Sequence, residues 1–335
     1  MGVPDSGDMR RQVAALARDR VSGATALARR AARLLRSAAR DDGRGFARWQ
    51  QDLRVLGETL VAAQPAMGSV LTVVDLALSE VARAQTVRAG ARAVQRAMER
   101  YVRRQVTAVE RAARRLPGVL PGRAVVLTLS SSEVVYRALL AARRRGRLAR
   151  VVVAESRPGR EGEALARRLA ARGVPVTVIV DALAPTVVGE VDAVVVGADA
   201  VTATAVWHKC GTFGLALAAR ATRRPLLVVT STDRLLGGSL AGRLRLPGTE
   251  PRHISTGRRK PVHALDRLFE ATPLRLVAAV LTDAGTMAPE TVRRRLRARK
   301  AGRGRPVEAG SRRSAVSFTS PRLDTKRGVR HAASR

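Results

Sequence analysis

An α/β protein is predicted: an N-terminal helical domain over residues 1–118, a parallel sheet with helices on both faces over 119–292, and a basic tail over 293–335. Three observations predict it. Up to about Leu116 the apolar residues recur at spacings of three and four, with Arg on the remaining faces. After "LPGVLPGR" the period changes to short Val-rich runs. Aromatics are only 2% of the 335 residues against 46% hydrophobic residues, so Ala, Val and Leu must build the core, which suits helices packed closely on a parallel sheet.

In order along the chain, helices are expected at "MRRQVAALARDR", "ATALARRAARLLRSAA", "FARWQQDLRVLGETLVAA" and one long stretch, "VLTVVDLALSEVARAQTVRAGARAVQRAMERYVRRQVTAVERAARRL". The two Pro-Gly pairs of "LPGVLPGR" punctuate the chain and mark a domain boundary. Beyond them, "AVVLTL", "ARVVVAES", "VPVTVIVDA", "VDAVVVGAD" and "RPLLVVTST" each read as a fully buried parallel strand, and Ala/Arg-rich helical stretches separate most of them. Alternating strands and helices imply right-handed crossovers, and such sheets bind ligands at the carboxyl ends of their strands. From about Thr291 the chain turns Gly-, Ser-, Pro- and Arg-rich. A helix ends there, and a disordered basic tail is expected to follow.

The formal net charge of +35 attracts polyanions in a salt-sensitive way. The Arg residues are spread over every helix rather than gathered in one stripe, which is the pattern of solvated helix faces, so nucleic acid is expected to bind only weakly, through the tail. A single Cys excludes an internal disulfide and any Cys-cluster zinc site, and no metal or cofactor is expected. "MGVPDSGDMRRQVAALARDR" has no signal-peptide core and no apolar span approaches membrane length, so a soluble, cytoplasmic protein is expected, with no membrane partner.

Polar groups crowd the strand ends. In "LTLSSSEVV", Thr128, Ser130, Ser131 and Ser132 bring hydroxyls and amides to the start of a helix, either as an anion cradle or as simple N-capping. "AESRPGREG" puts Glu155 beside Arg157, as site residues or as a surface pair. In "VDAVVVGADAVTATAVWHKCGTFGLALAAR", Gly197 and Ala198 lead to Asp199 just past an apolar strand, where burial would lift its pKa into the acid/base range; capping a turn is the structural alternative. Lys209, expected near a helix N-terminus, opposes the helix dipole and so points to an anion. His208 reaches the site or caps the turn, Cys210 is expected to be packing, and "VVTSTDR" adds Ser231 and Thr232 more weakly.

The segments "VVVAESRPGREGEALARRLAARGVPVTVIVDA" and "VDAVVVGADAVTATAVWHKCGTFGLALAAR" together resemble the paired signature of the translation initiation factor 2B alpha/beta/delta subunits and their relatives, ribose-1,5-bisphosphate isomerase and methylthioribose-1-phosphate isomerase. "SGATALARRAARLL", "QPAMGSVLTVVDLAL" and "FEATPLRLVAAVLTDAGTMAPETV" extend the likeness from about Val21 to Val292. The resemblance implies a helical domain followed by a Rossmann-like domain that dimerises, hence a homodimer or higher homo-oligomer. In the isomerases it implies a Cys and an Asp that move protons between neighbouring carbons of a sugar phosphate.

Asp199 stands at the aspartate position and Ser130 at the cysteine position. A serine hydroxyl needs a neighbouring base to act, whereas a thiol does not. The resemblance further places Gly23, Ala24 and Gln64 at phosphate-holding turns that carry Arg in the isomerases; here those turns read Ser22-Gly23 and Gln64-Pro65, and the Asn-Lys pair reads His208-Lys209. These departures lead to the expectation of a non-catalytic, regulatory binder of a sugar phosphate or nucleotide. The alternative is an aldose–ketose isomerase acting on a ribose phosphate, with Asp199 moving the proton.

Overall fold

The computed structural model describes residues 6–19, 21–246 and 267–298. Five helices come first: α1 (Ser6–Arg18), α2 (Ala24–Ala38), α3 (Phe46–Ala63), α4 (Gly68–Arg83) and α5 (Val87–Ala113). Their apolar faces meet around Trp49, Leu53, Leu60, Val74 and Met98, all buried. The single long helix expected from Val70 onward is two. The chain leaves helical geometry after Arg83, and Thr86, extended at φ −140° and ψ 154°, caps α5 by accepting a hydrogen bond from the Ala89 amide at 3.2 Å. The break lets α4 and α5 fold back on each other.

The sheet strands then alternate with helices: β1 (Ala124–Leu129), α6 (Glu133–Arg144), β2 (Leu148–Ala154), α7 (Glu161–Ala170), β3 (Val176–Ile179) and β4 (Ala193–Val196). A hairpin of β5 (Ala200–Val201) and β6 (Ala205–Lys209) leads into α8 (Thr212–Ala221), β7 (Leu226–Val229) and the short α9 (Gly238–Gly242). From residue 267 onward come β8 (Phe269–Pro273), β9 (Ala279–Thr282), β10 (Gly285–Met287) and α10 (Pro289–Ala298). Seven strands form one sheet in the order β10-β9-β7-β4-β1-β2-β3, parallel except for β10 at one edge. Alternate residues of the central strands enter two separate cores: Val126 and Val195 pack on one face, Leu127, Val194 and Val196 on the other. That is why these runs read as uninterrupted Val.

From β1 the chain runs outward through β2 and β3, then returns to place β4 on the other side of β1. The reversal opens a crevice at the carboxyl ends of β1 and β4, the usual ligand position in such sheets.

The hairpin was not expected. Between the strand at Val196 and the helix at Thr212, β6 pairs antiparallel with β5 and with β8, which places Lys209 at the end of a strand, just before the Gly211 N-cap of α8. Its turn has no Asn-Gly or Gly pair; the Thr202 hydroxyl accepts from the Ala205 amide at 3.0 Å instead, so the usual signal is missing from the sequence. At the other end, the expected boundary at Val292 falls inside α10, and residues 299–335 of the expected tail lie outside the described residues. Among the described residues no helix is long and apolar enough to cross a membrane.

Close packing under the site makes one glycine irreplaceable. A methyl group on Gly162, in the first turn of α7, would stand 1.8 Å from the Ala154 carbonyl oxygen. Since backbone cannot yield as a side chain can, Gly162→Ala is expected to destabilise the fold by about 3 kcal/mol, the upper end for overpacking. A fall in the denaturant midpoint checks it; an unchanged midpoint would mean that α7 shifts freely.

Candidate functional site

The crevice holds a cavity of about 380 Å³. Ser130, Ser131 and Ser132 reach it from the end of β1, Ala198 and Asp199 from the end of β4, His208 and Lys209 from β6. Gly23, Ala24 and Thr25 close it from the helical side. Two helix N-termini therefore face it, those of α2 and α6, and their free amides and dipoles favour an anion.

Asp199 is fixed through its backbone. Its amide donates to the Trp207 carbonyl at 2.8 Å, and its carbonyl accepts from the Gly68 amide at 2.9 Å. Gly68 approaches this closely because it has no side chain; a methyl group there would lie 2.9 Å from the Ala200 Cβ and 3.0 Å from the Asp199 oxygen. Among the described residues none hydrogen-bonds the Asp199 carboxylate. The residue is part-buried and lines the cavity. Burial pushes its pKa up to about 6, against the opposing pull of Arg234 and Lys209.

Lys209 is not a free cation. It is 2% exposed, and its Nζ lies 2.9 Å from Oε1 of Glu161, whose other carboxylate oxygen is buried with no hydrogen-bond partner. Lys209 lines the cavity as expected, and in the protein alone its charge is met by the protein's own carboxylate. The sequence gives no hint, since 48 residues separate the pair.

The serine row divides its tasks. Ser130 takes a left-handed φ of 63°, unusual for a residue with a side chain, and its amide donates to Ser156 Oγ at 2.6 Å. That amide is not available to a ligand. Thr128 is fully buried, away from the cavity. Ser132 occupies the N-cap position of α6 without capping it, so its hydroxyl is left for the cavity.

Gln64, Glu155, Arg157 and Gly197 do not line the cavity. Gln64 is buried and donates to the carbonyls of Leu16 at 2.7 Å and Asp19 at 3.1 Å, tying down the end of α1. Glu155 and Arg157 sit on a turn whose next amides, those of Ser156 and Arg157, are held by Asp181 at 2.7 and 2.6 Å; this aims Arg157 into solvent. Gly197 matters by having no side chain. A methyl group there would stand 2.7 Å from Ser132 Oγ and 3.2 Å from His208 Nε2. Cys210 is half-buried outside the cavity.

Arg234 is the residue that sequence reasoning missed. It follows β7, is 4% exposed, and donates to the Ala198 carbonyl at 2.7 Å and to Thr25 Oγ1 at 2.5 Å, while its Nε stays buried without a partner. It lies three residues beyond Ser231 in "VVTSTDR", so the strand-end rule pointed to the right loop, and the abundance of Arg hid the right residue. Asp233 beside it accepts from the Tyr101 phenol at 2.7 Å; burial, then that carboxylate, push the phenol well above its ordinary pKa. Through Gln105 the same network reaches Arg29, a further cation of the cavity wall. At the rim, Glu133 binds Arg137 and Arg168, and Arg137 also meets Glu110. Among the described residues no group of three or more His, Cys, Asp or Glu could hold a metal ion.

The sequence profile of the Initiation factor 2 subunit family matches residues 20–289. The chain belongs to the initiation factor 2 subunit family. Within this family it is 30% identical over 292 residues to the ribose 1,5-bisphosphate isomerase of Haloferax volcanii, covering 81% of this chain and 86% of that one. Over 166 residues it is 38% identical to the methylthioribose-1-phosphate isomerase of Heliobacterium modesticaldum, covering 46% of this chain and 48% of that one. The translation initiation factor eIF-2B of Pyrococcus horikoshii superposes with a TM-score of 0.73 at 24% identity, over 87% of this chain and 99% of the other.

These findings correct the expected non-catalytic, regulatory role. The relatives compared by sequence bear isomerase names, the ribose 1,5-bisphosphate isomerase over most of the chain. The likeness to the initiation factor is one of fold alone. The physical reason for the error lies in reading function from single positions: Ser130 in place of a thiol and the absence of two expected guanidinium groups were read as the loss of catalysis, whereas the cavity keeps Asp199 and draws cations from other elements, Arg29 and Arg234.

Proposed function

We propose that this family member is a sugar-phosphate isomerase that converts a ribose 1-phosphate derivative to the corresponding ketose phosphate. The observation that carries the reading is Asp199: an unpartnered carboxyl group, pushed up to about 6, facing an anion-attracting cavity. A group of that pKa supplies both a proton and a base near neutral pH.

In this reading the phosphate lies among the N-terminal amides of α2 and α6 and the guanidinium groups of Arg29 and Arg234. Protonated Asp199 gives its proton to the ring oxygen as the bond from that oxygen to C1 breaks. A second group removes the proton from C2, and the C–H electron pair becomes the C1–C2 double bond. Asp199, now a carboxylate, takes the proton from the C2 hydroxyl as C1 is protonated, leaving the ketone. Substrate and product are isomers, so no oxidant or co-reactant is required.

A homo-oligomer belongs to the same proposal: Val178 and Leu183 near the β3 edge, with Phe213 and Leu217 on α8, expose apolar surface that a second copy would cover. The deciding experiment incubates the full chain with ribose 1,5-bisphosphate and with methylthioribose 1-phosphate and follows ketose phosphate by NMR. Turnover of either is expected. A folded protein that converts neither would dismiss the reading.

A further inference from the structure

The proton chemistry above needs a second group to exchange a proton with carbon, and Ser130 stands where the resemblance implies a thiol. A serine hydroxyl cannot play that part alone. The other carboxylates of the cavity wall are held in ion pairs: Glu133 with Arg137 and Arg168, Glu161 with Lys209 through one of its oxygens. A basic lone pair outside any ion pair is offered by the imidazole of His208.

Its tautomer follows from counting hydrogens. The Thr212 hydroxyl has one proton and donates it to the Lys209 carbonyl at 2.6 Å. The contact of 3.1 Å between Thr212 Oγ1 and His208 Nδ1 then requires Nδ1 to carry the hydrogen. Nε2 is left as a bare acceptor, and it forms no hydrogen bond with any described residue. It lies beside the bare Cα of Gly197, where Ser132 Oγ, the hydroxyl that does not cap its helix, also points. The ring is 4% exposed, is held in β6 between β5 and β8, and lines the same cavity as Asp199.

We infer that His208 is the second proton-transfer group of this site, its Nε2 taking the C2 proton of the opened sugar phosphate and returning it to C1 while Asp199 serves the oxygens. This rests on the isomerase reading above. The step balances: Nε2 gains the proton as the C–H pair forms the C1–C2 double bond, and loses it to C1 as the C2 hydroxyl proton passes to Asp199.

Burial, then Arg234 and Lys209, hold the free imidazole down at about 3, so it is neutral and ready to accept. A phosphate dianion bound among the cations offsets their charge and raises the basicity of Nε2 when substrate is present. The bound ligand thus switches on its own base.

The test has two parts, both on the full chain. Nitrogen NMR of the free protein, with His208 signals assigned by His208→Asn, is expected to show Nε2 unprotonated and Nδ1 protonated from pH 6 to 8; a protonated Nε2 overturns the inference whatever the activity. In turnover assays with ribose 1,5-bisphosphate and methylthioribose 1-phosphate, His208→Asn and His208→Gln are expected to lower kcat by about 100-fold or more with KM changed less than about threefold. A variant that folds and keeps its kcat while the wild type turns over refutes the role of His208 and spares the isomerase reading. Absence of turnover in the wild type sinks that reading, and the role of His208 falls with it.

Discussion

Asp199→Asn is expected to stabilise the folded chain at pH 8 by up to about 3 kcal/mol and to lower kcat by about 1000-fold. Both effects come from one cause. Burial raises the folded-state pKa of this acid from 3.8 to about 6, so ionising it costs more in the folded chain than in the unfolded one. The penalty is absent below about pH 3.8, grows up to about pH 6, and is complete above it. The amide has the same shape and no charge to desolvate, and no hydrogen bond among the described residues is lost with the carboxylate. Denaturant unfolding of both proteins at pH 4 and pH 8 checks the stability half: the variant should gain at pH 8 and gain little at pH 4. An Asn variant that is less stable than the wild type at pH 8 would contradict the burial argument. The same group gives the pH profile its shape. Because the step begins with protonated Asp199, kcat/KM should decline as pH rises through about 6.

Arg234→Met should raise KM by roughly 100-fold. The guanidinium makes two charge-assisted hydrogen bonds, to Ala198 and Thr25, and is one of the cations that draw an anion into the cavity. A charge-assisted bond from it to a bound phosphate would contribute about 1.5–3 kcal/mol, and 1.4 kcal/mol is tenfold in an equilibrium constant. Methionine fills much of the volume without the charge. Asp199 also loses a cation that lowers its pKa, so the descending limb of kcat/KM should move to higher pH. Steady-state kinetics from pH 5 to 9 read both changes together. An unaltered KM would show that Arg234 only braces the fold.

Much of the sheet was legible because a strand buried on both faces has no choice but to be apolar, and "AVVLTL" and "VDAVVVGAD" state that directly. The carboxyl-end rule likewise led to Ser130 and Asp199, the residues that follow β1 and β4. What stayed hidden depends on partners far apart in sequence. Lys209 looked unpaired because Glu161 is 48 positions away; Gln64 was a candidate through the resemblance alone, and nothing local shows that it binds Leu16 and Asp19. Arg157 stayed open between site and surface because the hold of Asp181 on its turn cannot be read from "AESRPGREG". Arg234 was masked by composition: in a chain with 62 Lys and Arg, one more Arg carries almost no signal.

The buried chain of polar contacts from Arg29 through Gln105 and Tyr101 to Asp233 spans the helical layer and the loop that carries Arg234. Rocking one layer away from the other would strand a phenol and a carboxylate in apolar surroundings, which costs several kcal/mol. A clamshell motion is therefore the wrong picture for this molecule. The freedom to move lies instead at the rim, where Arg137, Arg168 and Glu133 are only partly buried and bind one another rather than the floor beneath.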